Sequence, residues 1–298
     1  MPHTPRERLP YSAIVDRPPL QFPEGVRLVV WTIVNLESWD IARPMPRNVL
    51  TPPMGQPILP DVPNWAWHEY GMRVGVWRFF DLFAKLGVKA SAAVNGQMVE
   101  HYPRIAEAIR DAGWEFLPHG YEQRPMQTVA DQRDAIQKTI TAIEPYAGKK
   151  PIGWLAPGMS QTLETPDYLA AAGFRYTGDY VHDEEPSWVE TKRGRMVTLP
   201  YTFEMNDITI MALQNHEARH FYDRGVDQFE QLYKESEKRA KIMSIPLHAY
   251  LSGQPHRFVY LDKLYRYLAA KPGVAFWTGE QIYDWFVGQD TSRPKAKR

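Results

Sequence analysis

Residues 27–38, Arg-Leu-Val-Val-Trp-Thr-Ile-Val-Asn-Leu-Glu-Ser, limit the folds open to this chain more than any other stretch. A run of β-branched and apolar residues with almost no polar interruption reads as a strand buried on both faces, the mark of a parallel sheet. It ends on a carboxylate. Glu37 falls where the buried strand gives way to a loop, the place where barrel and open α/β enzymes carry their working groups. One acid at one strand end says little, so the other strand ends decide whether it matters.

The strand pattern recurs at 89–95, 115–119, 151–157, 175–179, 196–201, 243–248 and 274–277. Apolar residues at helical spacing fall between these runs, at 69–86, 98–112, 129–143, 165–172, 225–240, 258–270 and 281–286, with a loop rather than a helix expected between 175–179 and 196–201. Seven or eight strands alternating with helices imply an α/β fold, an irregular, TIM-like (β/α)7–8 barrel forming a single domain over residues 27–288. Residues 1–26 carry Pro2, Pro5, Pro10, Pro18, Pro19 and Pro23 and read as an extended arm, neither helix nor central strand, that wraps the domain or a neighbouring subunit. A proline-rich loop over 39–67 is too long for a connector and is expected at the active site or a subunit contact; 289–298 is a polar tail.

Charge excludes whole classes of partner. The chain has 35 basic and 35 acidic residues, so neither nucleic acid nor an anionic membrane finds an electrostatic footprint. No segment has the apolar length of a membrane span and the first ten residues lack the apolar core of a signal peptide, which points to the cytoplasm. The absence of cysteine rules out disulfides, thiolate metal ligands and a thiol nucleophile.

The strands end, in order, on Glu37, Asn95, His119, Trp154 with Pro157, Asp179, Tyr201 and His248. Parallel strands of a barrel place all their C-termini on one rim, so these residues are expected to converge. Each also has an ordinary structural reading: Glu37 and Asp179 as capping acids, His119 and His248 as core histidines bonded to backbone, Trp154 as a packing residue, Asn206-Asp207 as a turn pair.

In this order the motifs Asn35-Leu36-Glu37-Ser38, His119-Gly120-Tyr121, Asp179 and Leu247-His248, with Glu69-Tyr70-Gly71, Gly153-Trp154, Pro200-Tyr201-Thr202 and Asn206-Asp207, resemble those of the polysaccharide deacetylase (NodB-like, carbohydrate esterase family 4) superfamily. The nearer resemblance is to its cofactor-independent allantoinase branch. The resemblance implies a distorted (β/α) barrel that hydrolyses carbon–nitrogen bonds other than peptide bonds, in most members with a divalent metal held by one Asp and two His. Here the position of the metal-binding Asp is Ser38 and that of the second His is Gln123, leaving one imidazole, a hydroxyl and an amide, a poor donor set for zinc. No metal and no other cofactor is therefore expected. Departures from the allantoinase pattern at Glu122-Gln123, at 155–158 and at Ala249-Tyr250, where a basic residue is usual, fall on pocket positions and imply a different substrate.

The resemblance thus implies a small cyclic or linear amide or ureide as substrate, with Glu37 as base, His248 as acid and His119 as orienter or oxyanion donor. Glu69, Gln123, Trp154, Asp179, Tyr201, Asn206 and Asp207 would contact or shape the substrate. A homo-oligomer such as a tetramer is expected, as in the related branch. Two readings of other kinds stay open: a zinc-dependent sugar N-deacetylase using Glu37 and His119 as ligands, and a non-catalytic carbohydrate or metabolite binder.

Overall fold

The computed structural model describes residues 4–52 and 55–290. Nine strands lie among them: β1 (Leu28–Leu36), β2 (Ser91–Val94), β3 (Glu115–Pro118), β4 (Gly153–Trp154), β5 (Tyr176–Thr177), β6 (Ser187–Thr191), β7 (Gly194–Thr198), β8 (Lys241–His248) and β9 (Val274–Phe276). β1 is buried from end to end and pairs in parallel with β8 along its length. Its other edge is shared, with β9 at Leu28–Val30 and β2 at Ile33–Leu36, and β3 continues the sheet beyond β2. The second sheet runs β4, β5, β7 in parallel, with β6 antiparallel at its outer edge. A bond from the Leu155 N–H to the Pro118 carbonyl, 3.0 Å, joins the two sheets into one curved wall.

Side chains alternate across a strand, and here the alternation separates inside from outside. Val29, Trp31 and Ile33 pack with Leu117, Leu155, Val197 and Leu199 from both sheets, which is the interior. Val30, Val34 and Leu36 face the outer helices instead. Behind the second sheet Trp154 packs with Ile136, Ile140, Leu169 and Phe174. The N-terminal end of the ring is closed by a polar network. Trp31 Nε1 donates to Ser91 Oγ at 2.8 Å, and Ser91 and Tyr176 donate to the half-buried Glu115 carboxylate, which also takes the Gly279 N–H at 2.8 Å. The opposite rim is left open for a site.

The α/β ring of parallel strands and helices is as expected; several elements are not. The segment expected as one helix from 69 begins earlier, as Val62–Tyr70, passes through a π-turn at Gly71–Gly75 and continues as Val76–Leu86, so the long loop ends at Asp61. Pro103 splits the next helix into Gly96–His101 and Pro103–Asp111, because a proline fits the first turn of a helix but not its interior. The expected loop before 196–201 contains β6, paired as a hairpin with β7. The helix before β8 is Ala218–Glu235, and the one between β3 and β4 is Gln132–Ala147. Of the polar tail, residues 291–298 lie outside the described residues. No helix among the described residues is long and apolar enough to cross a membrane.

The arm is not wholly extended: Pro5–Arg8 is a short helix and Ile14–Asp16 a 3-10 turn. It lies against this domain. Arg8, 1% exposed, donates to both Asp167 oxygens at 3.0 and 2.8 Å and to the carbonyls of Leu163 and Glu190. Further on, Arg17 pairs with Asp183, and the Leu20 carbonyl takes the Ala240 N–H. Removing one partner of a buried pair strands the other charge. Arg8→Met should therefore lower the free energy of unfolding by about 3 kcal/mol in a urea titration at pH 7, whereas a decorative arm would shift it by less than about 0.5 kcal/mol.

Candidate active site

At the open rim lies a cavity of about 780 Å³. Glu37, His119, Gln123, Tyr201, Asn206 and His248 all line it, so six of the ten residues singled out by sequence come together. Strand parity brings them there. From the inward Ile33, steps of two reach Asn35 and then Glu37; from Leu117 they reach His119, and from Val197 and Leu199 they reach Tyr201.

Glu37 is the centre, 4% exposed. Its Oε2 accepts from Trp39 Nε1 at 2.7 Å and its Oε1 from Gln123 Nε2 at 2.8 Å. The Nε2 atoms of His119 and His248 stand 3.9 and 3.8 Å from the same Oε1, too long for a direct hydrogen bond. Each imidazole is locked from behind. His119 Nδ1 donates to the Leu155 carbonyl at 2.6 Å, and His248 Nδ1 to Asp207 Oδ1 at 2.7 Å. Asp207 is fully buried and also accepts from the His248 backbone N–H and from Ser252 Oγ.

A carbonyl can only accept, so the proton on His119 is at Nδ1 and its Nε2 offers a lone pair. Burial, with His248 adding to it, pushes this imidazole down to about 4, against the opposing pull of Glu37 and the Leu155 carbonyl. His119 is thus a neutral acceptor at pH 7. It can orient a donor such as water, and it cannot be the oxyanion donor expected of it.

The donors at the position where the resemblance puts a metal are turned to other partners. Gln123 directs its nitrogen to Glu37 and its oxygen to Asn95 Nδ2 at 3.1 Å, while the Ser38 hydroxyl is bonded to His101 Nδ1 at 2.8 Å. The amide orientation is forced, because Asn95 Oδ1 takes the Ser38 backbone N–H and Asn95 Nδ2 gives to the His119 carbonyl. Two of the three donors are therefore committed elsewhere and do not fit a tight divalent ion. Among the described residues no group of three or more His, Cys, Asp or Glu forms a metal cage.

Four expected contact residues stand off the cavity wall. Trp154 is one step out of phase with the inward Leu155 and is fully buried in the outer core. Asp179 is out of phase with Gly178, whose hydrogens face Trp31 and Leu155, and it accepts the Ala156 N–H at 2.7 Å. Glu69 accepts from Tyr102 and Arg73. Asp207 supports His248 from behind. Sequence reasoning missed Trp39 as a holder of Glu37 and Asn95 as the residue that sets Gln123, and it marked Tyr250, whose ring is centred 5.6 Å from that of His248, as a changed pocket position without a role. Trp39 and Tyr250 each follow a chosen residue by two positions, a signal that alternation could have supplied.

The polysaccharide deacetylase family profile matches residues 67–177. A Schizosaccharomyces pombe protein assigned as a polysaccharide deacetylase is 31% identical over 240 residues, 72% of this chain and 73% of that protein. A Helicobacter pylori peptidoglycan deacetylase is 26% identical over 248 residues, 72% of this chain and 84% of that one. Among solved structures, that of PuuE allantoinase superposes with a TM-score of 0.84 over 98% of this chain and all of that one, at 22% identity. A Pseudomonas aeruginosa structure assigned as a polysaccharide deacetylase has the same TM-score, 0.84, at 24% identity, covering 97% of this chain and 100% of that one. At these identities the structural likeness establishes the fold, which is the barrel expected.

Asp179 offers a check on the wall behind the site. Its Oδ2 is buried without a partner, and burial raises the carboxyl from 3.8 to about 7, with the Ala156 N–H and Thr177 opposing. Between those two values the unfolded chain has released a proton that the folded chain keeps, so stability is lost as pH rises through this window. Asparagine keeps the acceptor for Ala156 and cannot ionise. The thermal midpoint of Asp179→Asn should therefore exceed that of the parent by an amount that grows from pH 4 to pH 7.5; a pH-independent difference would contradict this placement.

Proposed function

The chain belongs to the polysaccharide deacetylase family, hydrolases of carbon–nitrogen bonds other than peptide bonds, and from that premise we propose that it hydrolyses a small cyclic or linear amide or ureide without a metal. The observation that carries this reading is the single Glu37 oxygen faced by two imidazole Nε2 atoms, each locked from behind, on a cavity whose metal-position donors are turned to other partners. Water bound at Glu37 Oε1, with the His119 lone pair accepting its second hydrogen, would attack the carbonyl carbon while Glu37 takes the proton. His248, whose Nδ1 is paired with Asp207, gives a proton from Nε2 to the departing nitrogen. The carbonyl carbon gains an oxygen and loses a nitrogen, and Glu37 and His248 end with protonation states exchanged.

Cavity shape supports a small substrate. Asp40, Arg43, Pro44, Pro46 and Arg47 from the segment after β1 wall its mouth, and about 780 Å³ suits a small molecule. The names of the relatives favour a second reading, N-deacetylation of an amino sugar or glycan, to which the resemblance adds a metal. A panel of small cyclic amides, ureides and acetylated sugars, assayed with and without chelator, separates the two. Turnover of a small amide that survives chelation is expected; turnover of acetylated sugars that chelation stops and zinc restores would replace this reading with the second.

Glu37→Gln should cut kcat on the accepted substrate by about 10²–10⁴-fold, the usual worth of a positioned base, with circular dichroism unchanged. Retained turnover would remove Glu37 from the role.

A further inference from the structure

Hydrolysis of an amide places negative charge on the carbonyl oxygen, and a donor must meet it. Most donors near Glu37 are already committed. Trp39 Nε1 and Gln123 Nε2 give to Glu37, Asn206 Nδ2 gives to the Tyr201 hydroxyl at 3.1 Å, and Asn35 Nδ2 gives to the Leu247 carbonyl at 3.2 Å. His119 presents only a lone pair. Among the described lining residues, Tyr250 is the one with a buried polar atom that has no partner: it is 2% exposed and its hydroxyl neither gives nor receives a hydrogen bond.

We infer that the Tyr250 hydroxyl donates to the carbonyl oxygen of the bound amide as its charge grows, taking the place that a metal holds in other chemistries of this kind. The inference rests on the hydrolase reading above. A buried hydroxyl without a partner is destabilising, and a ligand acceptor removes that cost when it arrives. The phenol lies between the acid and base arms of the site, its ring centre 5.6 Å from His248 and 5.2 Å from Trp39, the residue that holds Glu37.

It is also held rigid. Trp67 packs edge-on at 4.9 Å, and the π-turn crosses behind so closely that a Cβ on Gly71 would come within 2.4 Å of the Tyr250 nitrogen. Donors that act on a transition state work best when fixed beforehand. The proton is secure as well: burial, then Glu37 and Asp207, raise this phenol well above 10, with only Arg47 opposing. It remains a neutral donor and gives up no proton during the reaction.

Tyr250→Phe keeps the ring contacts and removes only the hydroxyl. On the amide found by the panel, kcat should fall about 10²–10³-fold, as when other oxyanion donors are removed, with KM within about threefold. The unfolding midpoint should hold or rise, because an unpartnered group has been deleted; a fall would show a structural role and overturn the inference. Binding of methylphosphonate, a tetrahedral oxyanion, followed by tryptophan fluorescence, gives a readout without turnover and should weaken at least tenfold in the variant. If that binding depends on Tyr250 while no panel compound is hydrolysed, the hydrolase reading fails and the donor site stands. If an amide is hydrolysed and Tyr250→Phe leaves kcat within threefold, or the loss follows Tyr201→Phe instead, the donor assignment fails and the hydrolase reading stands. Loss of Tyr250 dependence in both readouts overturns the inference outright.

Discussion

Alternation along the buried strands is the constraint on which this molecule depends. A strand shows its side chains to opposite faces with a period of two, and a slip of one residue would exchange every one of them. In β1 the odd positions from Val29 to Asn35 look into the ring and Glu37 continues their line, while Leu28, Val30 and Val34 meet the helices. The same phase in β3 and in the strand ending at His248 delivers two imidazoles to the same opening. Packing and chemistry are thus set by one register: the contacts that bury Trp31 against Ser91 and Tyr201 also aim Glu37.

Around the acid, hydrogen-bond direction does what distance alone cannot. A backbone N–H at Ser38 and a backbone carbonyl at His119 anchor Asn95, Asn95 sets Gln123, and Gln123 gives its amide hydrogen to Glu37. Each link has one possible polarity, since its ends are a pure donor, a pure acceptor and a carboxylate. An amide where an imidazole would bind metal therefore becomes a clamp on the acid. Asp207 plays the matching part for His248, and its place behind the ring explains why a polar residue with full burial carries three hydrogen bonds.

The α/β ring and the meeting of Glu37, His119 and His248 were legible in the sequence, because strand ends of a parallel barrel share a rim whatever their contents. What failed was the choice among strand-end residues. Trp154 and Asp179 were taken as cavity residues on their position in the chain, whereas their phase relative to Leu155 and Gly178 turns them outward. Glu69 and Asp207 lie on segments with no strand phase, and only the fold shows that they face Tyr102 and His248. The π-turn and the β6–β7 hairpin were also hidden: the first keeps a helical pattern of apolar residues, and the second is short and half-exposed.

The two sheets meet through a ladder-like bond on one side only. On the other, edge strands β6 and β8 share no ladder among the described residues, and the gap is bridged by Arg17 with Asp183, Arg239 with Glu185, Lys241 with Glu184, and the Leu20 carbonyl with the Ala240 N–H. Two of those fastenings come from the arm, which precedes in the chain everything it fastens. Its docking points lie more than a hundred residues downstream, so during synthesis it must wait, undocked, until the far side of the ring exists. Residues made before the ring are the ones that finish its circle.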